Sequence, residues 1–441
     1  MKVSTQPVRT QGVAAATEHL QRNFWLGVAS GVGYNLYVVF FSTELVMTWF
    51  LVELTDSNLL ISLLIPIEMG SWYFLQIVFS GYVEHRPVSM PLYRLTAGIR
   101  VAALGLLAAV AFTLSDPRAL LLAFMVLFIV NALMAGVAAL PFMNIVAKTI
   151  PARRRGLFFG WRRFAGGLFG LGAGLLVGAI LAPESGLAFA ANYAWLFALA
   201  TAVTLVQVVS FSLVVEPAEA VDTRRVALKE QFRRAVRLPV RDGNFGRYLA
   251  TRVAIVTAAL ALPFYAVYAR RVLDAPAETV GTYLIGMTLA GVLSNLAFAR
   301  LSDRFGNRLV VRLAALMAML VPATALLVAF APGLGRARVT VFGLVFVLQG
   351  IQVSARVIGG TNYLLELTPS IERVLYIGVA HGVLGLVFFM SPLGAAIVDN
   401  LGFVPLFVVA LAAGFVAILL SLTMEEPRQW LAPREAEIAS A

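Results

Sequence analysis

Twelve apolar runs, most longer than 20 residues, divide this chain and leave it few folds to choose from. They fall at 25–53, 58–83, 95–115, 119–147, 156–182, 192–215, 248–270, 279–300, 309–331, 339–366, 374–398 and 402–423. About 20 apolar residues in helical form cross the ~30 Å hydrocarbon core of a bilayer. Strands of a membrane barrel would be ~10 residues long with alternating polarity, a pattern this chain lacks. The expected fold is therefore an all-α integral membrane protein with twelve transmembrane helices. Composition agrees: 60% of the 441 residues are hydrophobic and 13% are charged, against about 25% charged in soluble proteins. There is no cysteine, which excludes disulfides and thiolate metal sites.

The net charge of +11 is carried almost wholly by arginine. In a soluble domain it would suggest nucleic acid. Here the bases gather in every second loop, which reads as membrane orientation instead. About 26 Lys and Arg lie on the side of the termini and 5 on the other: Arg118, Arg270, Arg271, Arg336 and Arg338. The positive-inside rule then expects both termini in the cytoplasm, and a plasma membrane, here a bacterial cell membrane, as the location. The first 22 residues lack a short apolar core followed by a cleavage site, so the first apolar run is expected to insert uncleaved.

The longest polar break, 216–247, contains "TRRVALKEQFRRAVRLPVRDGN". Val226, Phe232 and Val236 among its bases suggest a short helix on the anionic inner surface. The expected organisation is a tail at 1–22, a six-helix bundle at 23–215, a basic linker at 216–247, a second six-helix bundle at 248–423 and a tail at 424–441. The two bundles are related in sequence. At an offset of 218 residues, Asn144 meets Asn362, Pro151 meets Pro369, Arg155 meets Arg373, Gly160 meets Gly378 and Gly167 meets Gly385. The same offset pairs Arg86 with Arg304, Arg94 with Arg312, and Asn131 with Gln349. One constant offset across separate loops marks a duplicated six-helix unit, a plan common in transporters.

After the eighth run stands "ARLSDRFGNR", and after the second "GYVEHRPVSM". With twelve spans, a central polar linker and this repeated loop, the chain resembles the major facilitator superfamily. That family carries Gly-x-x-x-Asp-Arg-x-Gly-Arg-Arg at both places. In the later copy Asp303, Arg304, Gly306 and Arg308 match, with Ala299 for the first Gly. In the earlier copy Gly81 and Arg86 match, but His85 occupies the Asp position. The resemblance implies two pseudo-symmetric bundles that alternately open a central site, with the first, fourth, seventh and tenth helices lining it. Gly306 supplies freedom for a tight turn. The offset also matches Arg154 with Glu372, an exchange of sign that parallels His85 and Asp303. Asp303–Arg154 and His85/Arg86–Glu372 are therefore expected as cytoplasmic latches.

Ionisable groups inside a span are costly and face the bundle interior. Glu68 lies near the middle of the second run and shares a helical face with Trp72, four residues on; it is a candidate proton carrier or cation contact. Glu44 lies in the outer half of the first run, near the water interface by simple counting. In the tenth run Gln349, Gln352, Arg356 and Gly359 share one face. Lipid would reject that face, so it must meet protein or a water-filled cavity. Arg356 is placed to hold an anionic group or to pair with Glu68 or Glu44. His381, Asn35 and Asn131 are further candidates for the cavity. Arg100 and Arg252 are expected to snorkel toward the cytoplasmic ends. Gly166, Gly170, Gly174 and Gly178 form a small-residue stripe for close helix contact.

No metal-ligand cluster, phosphate-cradling loop or nucleophile-base constellation appears, and an enzyme is not expected. The reading is a monomeric secondary transporter of a small solute, proton-coupled, without cofactor or nucleic-acid partner. Both amphipathic drugs and small organic anions remain open as substrates. The alternative is a transporter-like membrane receptor or partner-binding subunit that moves no solute.

Overall fold

The computed structural model describes residues 19–84, 86–218, 237–368 and 372–427. Among them there is no strand. Twelve helices among the described residues are long and apolar enough to cross a membrane. They are α1 (Leu20–Leu54), α2 (Asn58–Leu75), α3 (Met90–Thr113), α4 (Pro117–Thr149), α5 (Arg153–Leu181), α6 (Ala191–Ser212), α7 (Gly243–Arg271), α8 (Thr279–Phe305), α9 (Asn307–Ala329), α10 (Ala337–Leu367), α11 (Leu375–Leu401) and α12 (Phe403–Leu422). Each of the twelve apolar runs read from the sequence becomes one of these helices. The amphipathic helix expected within the linker, with Val226, Phe232 and Val236, lies outside the described residues.

The helices form two compact units. One comprises Met1–Ser42 and Ser71–Arg225, the other Thr43–Gly70 and Val226–Ala441. Within the first, α1 packs on α5 and α6, and α3 packs on α4 and α6. Within the second, α7 packs on α11 and α12, and α9 packs on α10 and α12. Adding six to each helix number converts one set of contacts into the other. The duplication seen as a constant sequence offset is thus also a duplication of packing. Lipid offers no hydrophobic drive between helices, so close approach and polar contacts hold them together. Gly31 shows the close approach: a side chain there would run into the aliphatic part of Arg162 on α5. Gly166 of the small-residue stripe similarly lies against Asn35 on α1.

Residues 43–70 belong to the second unit although they lie in the first sequence repeat. The transfer coincides with a break in α1. Its first segment is α-helical from Leu20 to Phe40. Phe41 and Ser42 leave the helix, a π-helical turn runs from Thr43 to Met47, and α-helix resumes from Thr48 to Leu54. A π turn accommodates one extra residue per turn and is frequent at functional sites. Thr48 Oγ1 donates to Thr43 O (2.8 Å), binding the two segments across the turn.

The eighth-to-ninth junction is tighter than the charged loop the sequence suggests. α8 continues through Asp303 and Arg304 to Phe305, and α9 begins at Asn307. Gly306 alone makes the turn, with φ at 86°. L-residues rarely adopt that backbone region, so the glycine is required there.

Candidate functional site

The π turn of α1 carries Glu44. Its Oε2 is buried without a hydrogen-bond partner, so this carboxylate oxygen is packed within the protein. The charges of Arg356 on α10 and Glu68 on α2 both act on it. Three of the ionisable residues picked from the sequence therefore meet in one unit, on three helices. They gather because the outer segment of α1 and the start of α2 group with α7–α12. Arg356 and Glu68 act on Glu44 with opposite sign.

In the polar stripe of α10, Gln349, Gln352 and Gly359 are buried and Arg356 is half-buried. Gln349 is fully buried, and neither atom of its amide has a partner. Gln352 is also buried. Buried amides are almost always hydrogen-bonded, so an orphaned one marks a place for water or a ligand. Behind the stripe, Arg252 of α7 donates from Nη1 to the Arg356 carbonyl (2.8 Å). A side chain at Gly360 would collide with this same guanidinium. Arg252 is 8% exposed, which overturns the expectation that it snorkels. Its charge also acts on His381 of α11, which is partly buried.

In the first unit several interior polar groups pair with one another. Arg100 is buried rather than snorkelling. Its Nε donates to Asn131 Oδ1 (3.3 Å), and its guanidinium lies over the Tyr37 ring at 5.0 Å. Asn131 Nδ2 donates to Tyr37 Oη (2.8 Å). Asn35 Nδ2 donates to Gly31 O (2.8 Å) and Arg162 O (3.3 Å). Arg162 itself is buried between the rings of Phe142 and Phe158 and donates to Gly27 O. Sequence position suggests depth for such arginines but not the face they present, so their burial was missed.

A pair of clasps, one per unit, escaped the sequence reading. In the first, Asn23 Nδ2 donates to Val215 O (3.1 Å) and its Oδ1 accepts from Val215 N (3.0 Å). In the second, Asn244 Nδ2 donates to Glu425 O (3.3 Å) and its Oδ1 accepts from Glu425 N (3.0 Å). The next residue is a glutamate in both. Glu216 accepts from Ser89 N and Met90 N at 2.8 Å, at the start of α3 where anions are favoured. Glu426 lies against Gly306, at the start of α9, with Arg308 Nε 3.8 Å away. The signal was available as "VEP" at 215–217 and "EEP" at 425–427. Arg94 and Arg312, paired by the sequence offset, complete the symmetry. Arg94 donates to Ser212 O (2.6 Å), and Arg312 donates to Ser421 O and Leu422 O (3.2 Å each).

At the opposite end of the second unit, where α1 and α7 terminate, a polar cluster joins residues far apart in sequence. Arg270 Nε donates to Glu53 Oε1 (2.8 Å). Arg271 donates to Thr55 O (2.8 Å) and Asn58 Oδ1 (3.1 Å). Asn58 Nδ2 then donates to Asp399 Oδ1 of α11 (2.6 Å). The sequence reading used these two arginines only as topology markers.

The residues expected as latches are placed as follows. Asp303 and Arg304 are exposed on the last turn of α8. Arg154 is exposed on the first turn of α5, and Arg86 is exposed ahead of α3. Glu372 is half-buried with Arg241 Nη1 at 3.5 Å. His85 lies outside the described residues.

The sequence profile of the Major Facilitator Superfamily matches residues 248–440. No curated protein matches the chain. Among solved structures, a D-xylose-proton symporter is similar over 93% of this chain and 99% of its own, at 15% identity and a TM-score of 0.69. A POT family transporter in complex with 5-aminolevulinic acid is similar over 92% of this chain and 95% of its own, at 13% identity and a TM-score of 0.66. The nucleoside transporter NupG is similar over 92% of this chain and 97% of its own, at 13% identity and a TM-score of 0.60. The family profile thus covers the second repeat, and the likeness to the solved transporters is one of fold along nearly the whole chain.

Proposed function

We propose that the protein is a secondary transporter that moves a small solute by alternating access, coupled to protons through Glu44, Glu68 and Arg356. The observation that carries this reading is Glu44, set on the π-helical break of α1 under the charges of Arg356 and Glu68. A carboxylate on a helix break can convert a change of charge into a change of helix geometry. Protonation releases one acid from Arg356, and the freed guanidinium then receives an anionic or hydrogen-bonding solute group. Gln349 and Gln352 supply further contacts, with His381 in a supporting role. On this reading Asp303–Arg154 and Arg86–Glu372 hold the cytoplasmic side shut while the site opens outward, and His85 assists the second pair.

The test uses full-length protein in proteoliposomes loaded with a pH-sensitive dye. Pentoses, nucleosides, short peptides, organic anions and amphipathic drugs are added one class at a time. One class is expected to drive proton entry, with Glu44→Gln and Glu68→Gln each abolishing proton movement while solute exchange persists. Proton movement that survives in the double variant with unchanged pH dependence refutes the assignment. Reversing Asp303 and Arg154 singly and together tests the latch: additive losses of transport refute the pairing.

A further inference from the structure

A cavity of about 960 Å³ opens beside the end of α7 and the starts of α8 and α10. It lies within the ~300–1,000 Å³ range of small-ligand sites, and the mechanism above makes no use of it. Its lining carries both signs of charge: Asp274 and Glu278, Arg336 and Arg338. Arg338 is held in place, with Nη2 donating to Val328 O (3.3 Å) and lying 3.5 Å from Tyr268 Oη. Its Nε is buried and has no partner. Among the described residues, the side chains of Asp274, Glu278 and Arg336 make no hydrogen bond or ion pair. Two acids and two bases thus line one cavity without neutralising one another. Leu344 and Val347 add apolar lining from α10, a helix long enough to cross the membrane.

We infer that this cavity binds a zwitterionic phospholipid with a primary ammonium head, of the phosphatidylethanolamine kind. The phosphate meets Arg336 and Arg338, the ammonium donates to Asp274 and Glu278, and an acyl chain follows Leu344 and Val347 along α10. Each element of the site has a matching part of the ligand, and charged contacts of this type are the stronger hydrogen bonds. An anionic head would leave the two carboxylates opposed to like charge. A choline head carries no N–H to donate to them. A soluble phosphate ester would leave Leu344 and Val347 uncovered.

The test is lipid retention by the purified full-length protein, read by native mass spectrometry after equilibration with phosphatidylethanolamine, phosphatidylcholine or phosphatidylglycerol. One phosphatidylethanolamine per chain is expected, retained at least fivefold better than either alternative. Arg336→Gln and Glu278→Gln, both at accessible positions, are each expected to remove that preference without shifting the melting temperature. Gly343→Leu, which fills the cavity from α10, is expected to remove retention altogether. Equal retention of phosphatidylglycerol or phosphatidylcholine overturns the inference, as does an unchanged preference in both charge variants. Displacement by free phosphoethanolamine as effective as by lipid also overturns it. None of these outcomes depends on transport, so the inference fails separately from the proposed function.

Discussion

Glu216→Gln is the sharpest probe of how the duplicated clasps hold each unit. Glu216 and Lys148 are 3.0 Å apart, with side chains 3% and 4% exposed. The same carboxylate receives the backbone N–H groups of Ser89 and Met90 at 2.8 Å. Glutamine keeps the shape but removes the charge, and its NH₂ must face donors at one end. Lys148 is left with the Pro87 carbonyl at 3.0 Å. Removing one partner of a buried ion pair costs about 3–5 kcal/mol, because the remaining charge stays buried and uncompensated. The equivalent change in the other unit, Glu426→Gln, weakens a pair at 3.8 Å whose arginine is 37% exposed. Exposed or loose pairs are worth about 0–1 kcal/mol. Symmetry of position therefore comes with asymmetry of energy.

The assay is thermal unfolding in detergent, with the first unit followed separately by protease protection. Glu216→Gln is expected to lower the melting temperature by several degrees and to expose the first unit to cleavage. Glu426→Gln is expected to shift it much less. A third protein, Lys148→Met with Glu216→Gln, removes both charges together and should recover at least half the loss, since paired replacement of a buried ion pair is often nearly neutral. The reasoning is refuted if the two single variants lose equally, or if the double variant is no better than Glu216→Gln.

Two further outcomes follow from local geometry. Gly306→Ala places a Cβ on a backbone at φ 86° and 2.6 Å from the Glu426 carboxyl, so a loss of about 2 kcal/mol is expected; adding Glu426→Ala should recover only the steric part, as measured by thermal unfolding of both proteins. Arg271→Gln removes bonds to Thr55 and Asn58 at the far end of α1, so hydrogen exchange in residues 51–58 is expected to accelerate at least tenfold while α12 remains unchanged.

The spans were legible because a bilayer imposes length and polarity on every crossing helix, whatever packs around it. The duplication was legible because residues such as Arg94 and Arg312 do the same work at the same place, each tying a helix start to the last carbonyls of its unit. The turn at Gly306 was legible because only glycine is at ease there. The break in α1 was not. "VVFFSTELVM" is apolar throughout, and hydropathy reports that a segment belongs in lipid without reporting which backbone hydrogen bonds it makes. The inward aim of Arg100, Arg162 and Arg252 was hidden for a related reason. Each lies near a polar boundary in the sequence, where a long side chain would usually reach for water. Only tertiary packing turns them toward aromatic rings and carbonyls. The role of Glu216 was not legible, since its backbone partners Ser89 and Met90 are 127 and 126 residues away.

The sequence offset that pairs Asn131 with Gln349 joins two buried amides with unlike surroundings. Asn131 on α4 is fully engaged by Arg100 and Tyr37. Gln349 on α10 is equally buried, yet neither of its amide atoms has a partner. Leucine at Asn131 strands a guanidinium nitrogen and a phenol, each at about 1–3 kcal/mol, so Asn131→Leu is expected to unfold more easily. Leucine at Gln349 strands nothing and removes an unpaired polar group from the interior, so Gln349→Leu is expected to be neutral or to gain about 1–2 kcal/mol. The same substitution should sharply reduce transport, because the amide has been kept at a stability cost with no protein partner to justify it. Thermal unfolding and proteoliposome transport on both variants decide the matter. A Gln349→Leu protein that loses stability as Asn131→Leu does would show that the tenth helix, like the fourth, spends its amide on structure. Opposite signs in stability, with transport lost, mark the second repeat as the half that meets the solute.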